Sequence, residues 1–227
     1  MRMRLKKHLD ERIEACKQYL LKREGDGFFR LSEQEKYANV IDLNKTFASN
    51  SPIVLELGCG KGAWALNSAA KNPDKNYVAV EKLSNVIVVA CEQACELNLP
   101  NVRFLNCRAE NLRYFLPANC AEQIALNFSC PFPKKTYANR RLTSKYFLDI
   151  YKYLLTDGGT ITQKTDNKDF FEWSKESFEQ NGYEVFDVTY DLPENGDNVV
   201  TEYERKFRTQ GMPIYALKAR VARVFPI

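Results

Sequence analysis

The sequence has almost no histidine and no long hydrophobic run, and both absences exclude classes of protein. His8 is the single histidine, and the seven cysteines lack the paired Cys-x-x-Cys spacing of a structural zinc site. We therefore expect no bound metal and a reducing compartment, with Cys91 and Cys95 on one buried helix face. No apolar stretch is long enough to span a membrane, and polar residues follow the basic start where a signal peptide would be apolar. These features predict a cytoplasmic protein without a membrane partner.

The sequence also lacks a large excess of charge of either sign. The chain has 33 Lys and Arg against 29 Asp and Glu, a net charge of +4, so an affinity for nucleic acid has to come from local clusters. With 227 residues and 44% hydrophobic content, one sizeable core can be buried. We divide the sequence into a basic helical arm, residues 1–49, and one domain, residues 50–227.

The arm has apolar residues near helical spacing with basic residues around them. The apolar set is Leu9, Ile13, Cys16, Leu20 and Leu21, and the basic set is Arg2, Arg4, Lys6, Lys7, Arg12 and Lys17. Two interpretations stay open. The arm is either an amphipathic helix packed on the domain or an element that contacts phosphates.

From residue 52 onward, short apolar segments alternate with helical patterns. Strands are predicted at 53–57, 77–80, 102–105, 123–128, 160–165, 183–190 and 214–221. Helices are predicted at 63–71, 84–97, 143–155 and 168–180, the second of them capped by Ser84. This order predicts a Rossmann-like α/β fold, a doubly wound and mostly parallel seven-stranded sheet with helices on both faces. Ligands of such sheets bind at the carboxyl ends of the strands.

A glycine-rich turn, LELGCGKGAW, follows the first predicted strand of the domain. Gly58, Gly60 and Gly62 permit a tight turn at a helix N-terminus, where backbone amides are free to bind a ligand. The spacing matches neither the dinucleotide fingerprint nor a Walker loop. Glu81 ends the next strand, where a carboxylate can accept both hydroxyls of a ribose. The combination predicts S-adenosylmethionine in a class I methyltransferase, although Glu56 also suits a strand carboxylate bound by the loop's own amides.

The stretch NFSCPFPKKTYANRR, residues 127–141, carries a resemblance to a known family. It resembles the bacterial single-subunit tRNA (guanine-N7)-methyltransferases, whose pattern there is Phe-x-Asp-Pro-Trp-x-Lys-Lys followed by Arg-Arg. Three other stretches are similar in the same order: MRMRLKK at the start, Lys164-Thr165-Asp166, and TEYERKF from Thr201. The resemblance spans essentially the whole chain and implies methyl transfer from S-adenosylmethionine to N7 of a guanine in the tRNA variable loop.

The family also implies a role for individual residues. The residues implied to bind S-adenosylmethionine are Glu56, Gly58, Gly60, Gly62, Glu81 and, at the position beside the adenine, Arg108. Those implied to face the target guanosine are Lys134, Asp166, Thr201, Glu202, Tyr203 and Glu204. Lys135, Arg140 and Arg141, together with Lys134, are suited to tRNA phosphates, since they form a basic loop without an acidic residue.

This sequence departs from the family pattern at two positions. Cys130 stands where the family has its catalytic aspartate, and Phe132 follows in place of tryptophan. Arg108 stands where the family has an acidic or amide residue, which Asn106 or Asn111 could replace by a local shift. Three functions therefore stay open: an active tRNA methyltransferase, a tRNA-binding relative with little methyl transfer, and a methyltransferase for another RNA or a small molecule. Cys130 as a covalent nucleophile is a further alternative, and the protein is expected to be a monomer or a homodimer.

Overall fold

The structure is a computed structural model that describes residues 6–25, 27–194 and 198–223. Arg2, Arg4 and most of the MRMRLKK stretch lie outside the described residues. The chain forms two compact units, Met1–Pro117 and Ala118–Ile227. The glycine-rich turn belongs to the first unit and the basic loop to the second.

The first unit is built on parallel strands. The strands are β1 (Leu20–Arg23), β2 (Ile53–Leu57), β3 (Asn76–Val80) and β4 (Val102–Asn106), and the α-helices are α1 (Leu9–Ala15), α2 (Glu33–Tyr37), α3 (Leu43–Phe47), α4 (Ala63–Lys71) and α5 (Ser84–Leu97). The strand order is β1-β4-β3-β2 and every pairing is parallel. All residues of β2 and β3 are buried, as expected for strands covered on both sides of a parallel sheet.

Helices α4 and α5 pack their apolar residues against this sheet. Leu66 of α4 and Ile87 and Ala90 of α5 are buried in one cluster with Phe104 of β4. The predicted helix and strand bounds are confirmed to within one residue for these elements. The predicted cap is wrong, because Ser84 is the first residue of α5 and its hydroxyl donates to Asn106 Oδ1 at 2.7 Å instead.

The arm is less helical than the sequence indicated. Helix α1 ends at Ala15, and Leu20 and Leu21 lie in β1, which pairs with β4. Strand pairing at the edge of a sheet outweighs the helical preference of these leucines, because propensity is overridden by tertiary context. Arg12 joins α1 to α5 through two hydrogen bonds of 2.6 Å to the Glu92 carboxylate. The arm is therefore packed within the first unit, and its contact with phosphates stays a prediction.

The second unit contains mixed strands. Its strands are β5 (Ala121–Asn127), β6 (Leu155–Thr165), β7 (Tyr183–Thr189) and β8 (Tyr215–Val221), and its α-helices are α6 (Lys145–Leu154), α7 (Lys168–Gln180) and α8 (Glu202–Thr209). The order is β5-β6-β8-β7, parallel between β5 and β6 and antiparallel on both sides of β8. The described residues thus have eight strands, the predicted seven and β1, in a mostly parallel α/β arrangement.

Helix α8 was not predicted, although its start carries a helix signal. Thr201 precedes the helix and its hydroxyl accepts the backbone N–H of Glu204 at 2.9 Å. Thr-x-x-Glu is the sequence pattern of such a cap. Helix α6 begins at Lys145, two residues after the predicted start. In the described part of the chain, the helices are all too short or too polar to cross a bilayer.

Candidate active site

The glycine turn is held by backbone hydrogen bonds on both sides. The N–H groups of Gly58 and Cys59 donate to the carbonyl of Val80 at 2.8 and 3.0 Å, which ties the turn to the end of β3. Gly58, Gly60 and Gly62 have φ angles of 79°, 59° and 80°, in the left-handed region that favours glycine. A Cβ at Gly58 or Gly60 would meet open space, so the turn presents bare backbone there. This is the local geometry that a closely approaching ligand needs.

The two carboxylates of this unit have different surroundings. Glu56 is buried within β2, with 4% of its surface exposed. Glu81 follows β3 and is half-buried, and its carboxylate accepts the backbone N–H of Leu83 at 2.9 Å. That bond uses Glu81 Oε1. The structure keeps both predicted residues at the carboxyl half of neighbouring strands.

Arg108 contacts the arm. Its backbone N–H donates to Glu24 Oε2 at 2.8 Å, and its Nε lies 3.8 Å from Glu24 Oε1. Its guanidinium also lies 4.9 Å from the ring centre of Phe29. The Glu24 side chain is only 7% exposed. The arginine that stands here in place of the family's acidic or amide residue therefore has a buried acidic partner. Sequence reasoning missed Glu24 because 84 residues separate it from Arg108.

A cavity of about 430 Å³ lies at this place, at the carboxyl ends of β1 and β4. It is lined by Arg23, Glu24, Gly25, Phe29, Lys82, Ser84, Asn106 and Arg108. Asn106 uses both ends of its amide in the protein, accepting from Ser84 and donating to the Glu81 carbonyl at 2.8 Å. Asn111 Nδ2 is buried and meets no acceptor among the described residues. Of the two amides considered for the adenine position, Asn111 is the one whose nitrogen makes no hydrogen bond with the described residues.

The basic loop starts with an abrupt change of backbone direction. Phe128 follows β5 with φ of 50°, and Phe132 has φ of 40°, both unusual for aromatic residues. Cys130 lies between them and is exposed. Lys134, Lys135 and Arg140 are exposed as well, and Arg140 lies 4.4 Å over the ring of Tyr137. The side chains of these three cations therefore lie at the surface.

Arg141 differs from the other cations of the loop. Only 9% of its surface is exposed. Its Nε donates to the carbonyl of Pro131 at 2.8 Å, and its Nη2 donates to the carbonyl of Phe132 at 3.1 Å. Its guanidinium lies 4.3 Å over the ring of Trp173. The predicted phosphate contact is thus at odds with the partners that the structure gives this side chain.

The Thr201–Glu204 run is divided between surface and core. Glu202 is exposed and Tyr203 is 59% exposed, whereas Glu204 is fully buried. One Glu204 oxygen accepts from Asn198 at 2.8 Å and from Arg208 at 2.9 Å. The other accepts from Lys164 at 3.2 Å.

These partners also set the charge of Glu204. Burial by itself would raise the pKa of Glu204, but Lys164 and the hydrogen bonds from Asn198, Arg208 and Lys164 outweigh it and hold the pKa below its ordinary value. The Lys164 and TEYERKF stretches of the resemblance therefore meet in one buried network.

Tyr203 belongs to an aromatic cluster next to the basic loop. Its ring centre lies 6.2 Å from that of Phe128 and 6.4 Å from that of Phe207, with interplanar angles of 23° and 24°. Phe128 and Phe207 are 5.8 Å apart. Asp166, at the end of β6, is half-buried. Within the second unit, Tyr203 thus stacks on Phe128, the residue before Ser129 and Cys130.

Sequence reasoning missed several of the residues that organise both sites. They are Glu24 and Phe29 in the first unit and Lys164, Trp173, Asn198 and Arg208 in the second. Lys164 was noted only as part of a similar stretch. The pattern Thr-x-x-Glu could have indicated α8, but no local pattern indicates contacts between residues so far apart in sequence.

The class of the protein, a methyltransferase, is given by a family model. The family model described as "Putative methyltransferase" matches residues 50–217. The solved structure titled 16S rRNA methyltransferase KamB has a similar fold, with a TM-score of 0.60 at 16% identity over 89% of this chain and 96% of that one.

Sequence relatives give the family. A Geobacillus sp. (strain WCH70) protein named tRNA (guanine-N(7)-)-methyltransferase is 40% identical over 223 residues, 97% of this chain and 96% of the relative. A protein of the same name from Streptococcus suis (strain 05ZYH33) is 44% identical over 177 residues, 77% of this chain and 83% of the relative. The chain belongs to the tRNA (guanine-N(7)-)-methyltransferase family.

Proposed function

We propose that this chain transfers a methyl group from S-adenosylmethionine to N7 of a guanine in tRNA, in the variable loop. The observation that carries the proposal is the identity of 40% to a named tRNA (guanine-N(7)-)-methyltransferase over almost the full length of both chains. Transfer to tRNA takes place where tRNA is made and used, so we expect the protein in the cytoplasm. It acts as a monomer or a homodimer.

The residues of the first unit fit the adenosyl donor. Bare backbone at Gly58 and Gly60 permits close approach, and Glu81 has an oxygen to accept from the ribose. Asn111 Nδ2 offers a buried donor to an adenine ring nitrogen. Buried donors are normally hydrogen-bonded, so a bound base suits this one better than solvent does. S-adenosylmethionine supplies an electrophilic methyl group when bound. The protein residues contribute its binding and orientation.

The acceptor needs little chemistry from the protein. N7 of guanine has an in-plane lone pair and carries no proton at neutral pH, so attack on the methyl group requires no general base. The rate depends on holding the two reactants in line. Cys130 at the family aspartate position therefore weakens the stabilisation of the developing positive charge but leaves transfer possible.

Recognition of the base must leave N7 accessible. Arginine, the usual partner of guanine, binds N7 and O6, and a carboxylate on the pairing edge avoids both. We assign this contact to Asp166 and Glu202, which are half-buried and exposed. Glu204 is a weaker candidate, since its two oxygens already accept from Asn198, Arg208 and Lys164.

Methyl transfer to unmodified tRNA transcripts tests the proposal. The protein, labelled S-adenosylmethionine and transcript are incubated, and the product nucleoside is identified by mass spectrometry. We expect 7-methylguanosine. A matched transcript with 7-deazaguanine in the variable loop, where C–H replaces N7, should gain no label at that loop. Label that persists at full level in the 7-deazaguanine transcript would contradict N7 as the acceptor.

A second candidate function is tRNA binding with little methyl transfer. The observation in its favour is the exposed Cys130 in place of the family aspartate. It predicts tight tRNA binding, measured by filter retention, together with no 7-methylguanosine on any transcript. Replacing the lysines and arginines of the basic loop by glutamine should weaken tRNA binding under both candidate functions. The activity of a small-molecule methyltransferase would not change.

A further inference from the structure

Arg141 is the buried member of an otherwise exposed basic loop. With 9% of its surface exposed, it points its guanidinium at the loop backbone instead of solvent. The two carbonyls that it binds belong to Pro131 and Phe132, the first and second residues after Cys130. A guanidinium offers donors in a fixed planar arrangement, so two simultaneous bonds fix the orientation of this backbone segment.

The other face of Arg141 rests on helix α7. Its guanidinium lies 4.3 Å from the ring centre of Trp173 and 5.8 Å from that of Phe170. Phe170 is buried. A cation over an aromatic ring is attracted more strongly where water is excluded. Arg141 is thus held on one side by aromatic rings while it binds the loop with its edge.

The base of this arrangement is rigid as well. Just after Arg141, the Thr143 hydroxyl shares a hydrogen bond of 2.8 Å with Ser174 of α7, and the Thr143 carbonyl accepts from Ser177 at 2.7 Å. Gln163 of β6 donates to the same Ser174 hydroxyl at 3.0 Å. All four polar residues are buried. These bonds join the segment after Arg141 to α7 and β6, although Gln163 Oε1 has no hydrogen-bond partner among the described residues. They hold the backbone from which Arg141 extends.

The loop needs such support. Phe128 and Phe132 both have a positive φ, which costs roughly 1–3 kcal/mol each and persists only where the surroundings impose it. The bonds from Arg141 lie directly at the strained Phe132 and the preceding residue.

We propose that Arg141 is a positioning residue that holds the backbone around Cys130 in the conformation required for methyl transfer. It does so through the Pro131 and Phe132 carbonyls and does not bind tRNA phosphate. The proposal rests on the proposed methyl transfer for its catalytic part. A displacement of the loop by about 1 Å is enough to reduce turnover by a factor of order a hundred.

The experiment compares Arg141 with its neighbour Arg140. For Arg141→Gln and Arg141→Lys we expect kcat to fall by about tenfold to a hundredfold, with little change in KM for tRNA. The lysine variant keeps the charge but cannot donate to two carbonyls in one plane, so it should not rescue turnover. Arg140→Gln is the matched control, and its effect should appear in KM for tRNA.

The salt dependence of tRNA binding separates the two roles without any need for turnover. Loss of one phosphate contact lowers the slope of log K against log salt by about one. We expect that decrease for Arg140→Gln and an unchanged slope for Arg141→Gln. A slope lowered by about one in Arg141→Gln, with kcat unchanged, would overturn the proposal.

Two further measurements guard against a variant that fails to fold. Trp173→Leu removes the aromatic support without changing charge, and we expect kcat to fall while the double variant with Arg141→Lys is no slower than the slower single variant. Independent, additive losses would overturn the arrangement. In a Trp64→Phe background Trp173 is the sole tryptophan of the chain. Its emission should shift in Arg141→Lys, which tests the contact even if no tRNA is methylated.

If wild-type protein forms no 7-methylguanosine, the proposed function fails, whereas the salt slope and the Trp173 emission still decide the role of Arg141. An unshifted emission together with a slope lowered by about one would refute the positioning role.

Discussion

Lys164 and Glu204 form a buried ion pair of 3.2 Å that joins the end of β6 to helix α8. The Glu204 side chain is fully buried and that of Lys164 is 14% exposed. Breaking a buried pair leaves an unpaired charge in a medium of low polarity, which is far more costly than losing a surface pair. The pair therefore holds α8, and with it the exposed residues Glu202 and Tyr203, in place.

Replacing Glu204 should reduce stability more than replacing Glu202, the other carboxylate of helix α8. For Glu204→Gln we expect a loss of about 3 kcal/mol in the free energy of unfolding at pH 7, because Lys164 and Arg208 lose their shared anion. Urea denaturation followed by circular dichroism measures it. Glu202→Gln, on the exposed side of the same helix, is the control and should change stability by less than about 0.5 kcal/mol.

The same pair makes stability depend on pH. The folded pKa of Glu204 is lowered, so its stabilising contribution is complete above the unfolded value of about 4.3 and is lost as pH falls through the folded pKa. The difference between wild type and Glu204→Gln should therefore be constant from pH 7 to about pH 5 and shrink below about pH 4. A difference that grows on acidification would contradict this account.

Gly62 should tolerate substitution less well than Gly60. Both have positive φ, but a Cβ at Gly62 would lie 2.6 Å from Ala90 Cβ and 3.2 Å from Phe104, whereas one at Gly60 meets open space. We expect Gly62→Ala to cost about 1–3 kcal/mol more than Gly60→Ala in urea denaturation, because α5 has to shift.

The collision itself can be relieved. Adding Ala90→Gly to Gly62→Ala should restore part of the stability, although Ala90→Gly alone costs about 1 kcal/mol as a helix substitution. Equal losses for Gly62→Ala and Gly60→Ala would show that conformation alone, and not packing on α5, limits the turn.

Cys130→Asp should increase turnover. A carboxylate stabilises the positive charge that develops on the purine, but at an exposed position the gain is of order tenfold, less than a buried electrostatic contact provides. Single-turnover transfer to tRNA at saturating donor measures it. Cys130→Ala tests the covalent alternative, since a nucleophile cannot be removed without loss of nearly all activity. We expect the alanine variant to remain active.

Tyr203 should contribute to binding of the target nucleoside by stacking. Its exposed ring lies nearly parallel to those of Phe128 and Phe207, and stacking on an aromatic ring contributes about 1–3 kcal/mol per base. Tyr203→Leu should raise KM for tRNA by about tenfold, while Tyr203→Phe keeps the ring and should behave as wild type. Similar effects of both variants would assign the role to the hydroxyl group.

The link between the arm and α5 should depend on Arg12. Its two bonds to Glu92 lower the pKa of that carboxyl, chiefly through the hydrogen bond itself. For Glu92→Gln we expect faster hydrogen exchange of the amides of Leu9–Ala15, measured by mass spectrometry. Asp149→Asn, which breaks the exposed pair with Lys145 in the second unit, is the control. It should leave that exchange unchanged.

The sequence was sufficient for the strands and helices that bury a continuous apolar face. Residues 53–57 and 84–97 were predicted as observed, because their hydrophobic runs are bounded by glycine, proline or polar residues. Strand β1 was missed because Leu20, Lys22 and Arg23 pair with β4, more than 80 residues away in sequence. Local preference cannot report such pairing.

The site was predicted less completely than the fold. Motif spacing indicated Gly58, Gly60, Gly62 and Glu81, because a turn and a strand end are local features. It could not show that Glu204 is enclosed by Lys164 and Arg208, or that Arg141 faces the loop and not solvent. The sequence does not show whether the partner of a charged residue is water, a phosphate or a distant carbonyl.

Strand β1 has a consequence for the handling of the protein in solution. It pairs along the outer side of β4, whose residues Phe104 and Leu105 are completely buried. An uncovered strand of this kind presents unpaired backbone groups and apolar side chains to other molecules, and chains then associate edge to edge. We therefore expect removal of the arm as far as Arg23 to expose the edge of β4 to association with other chains.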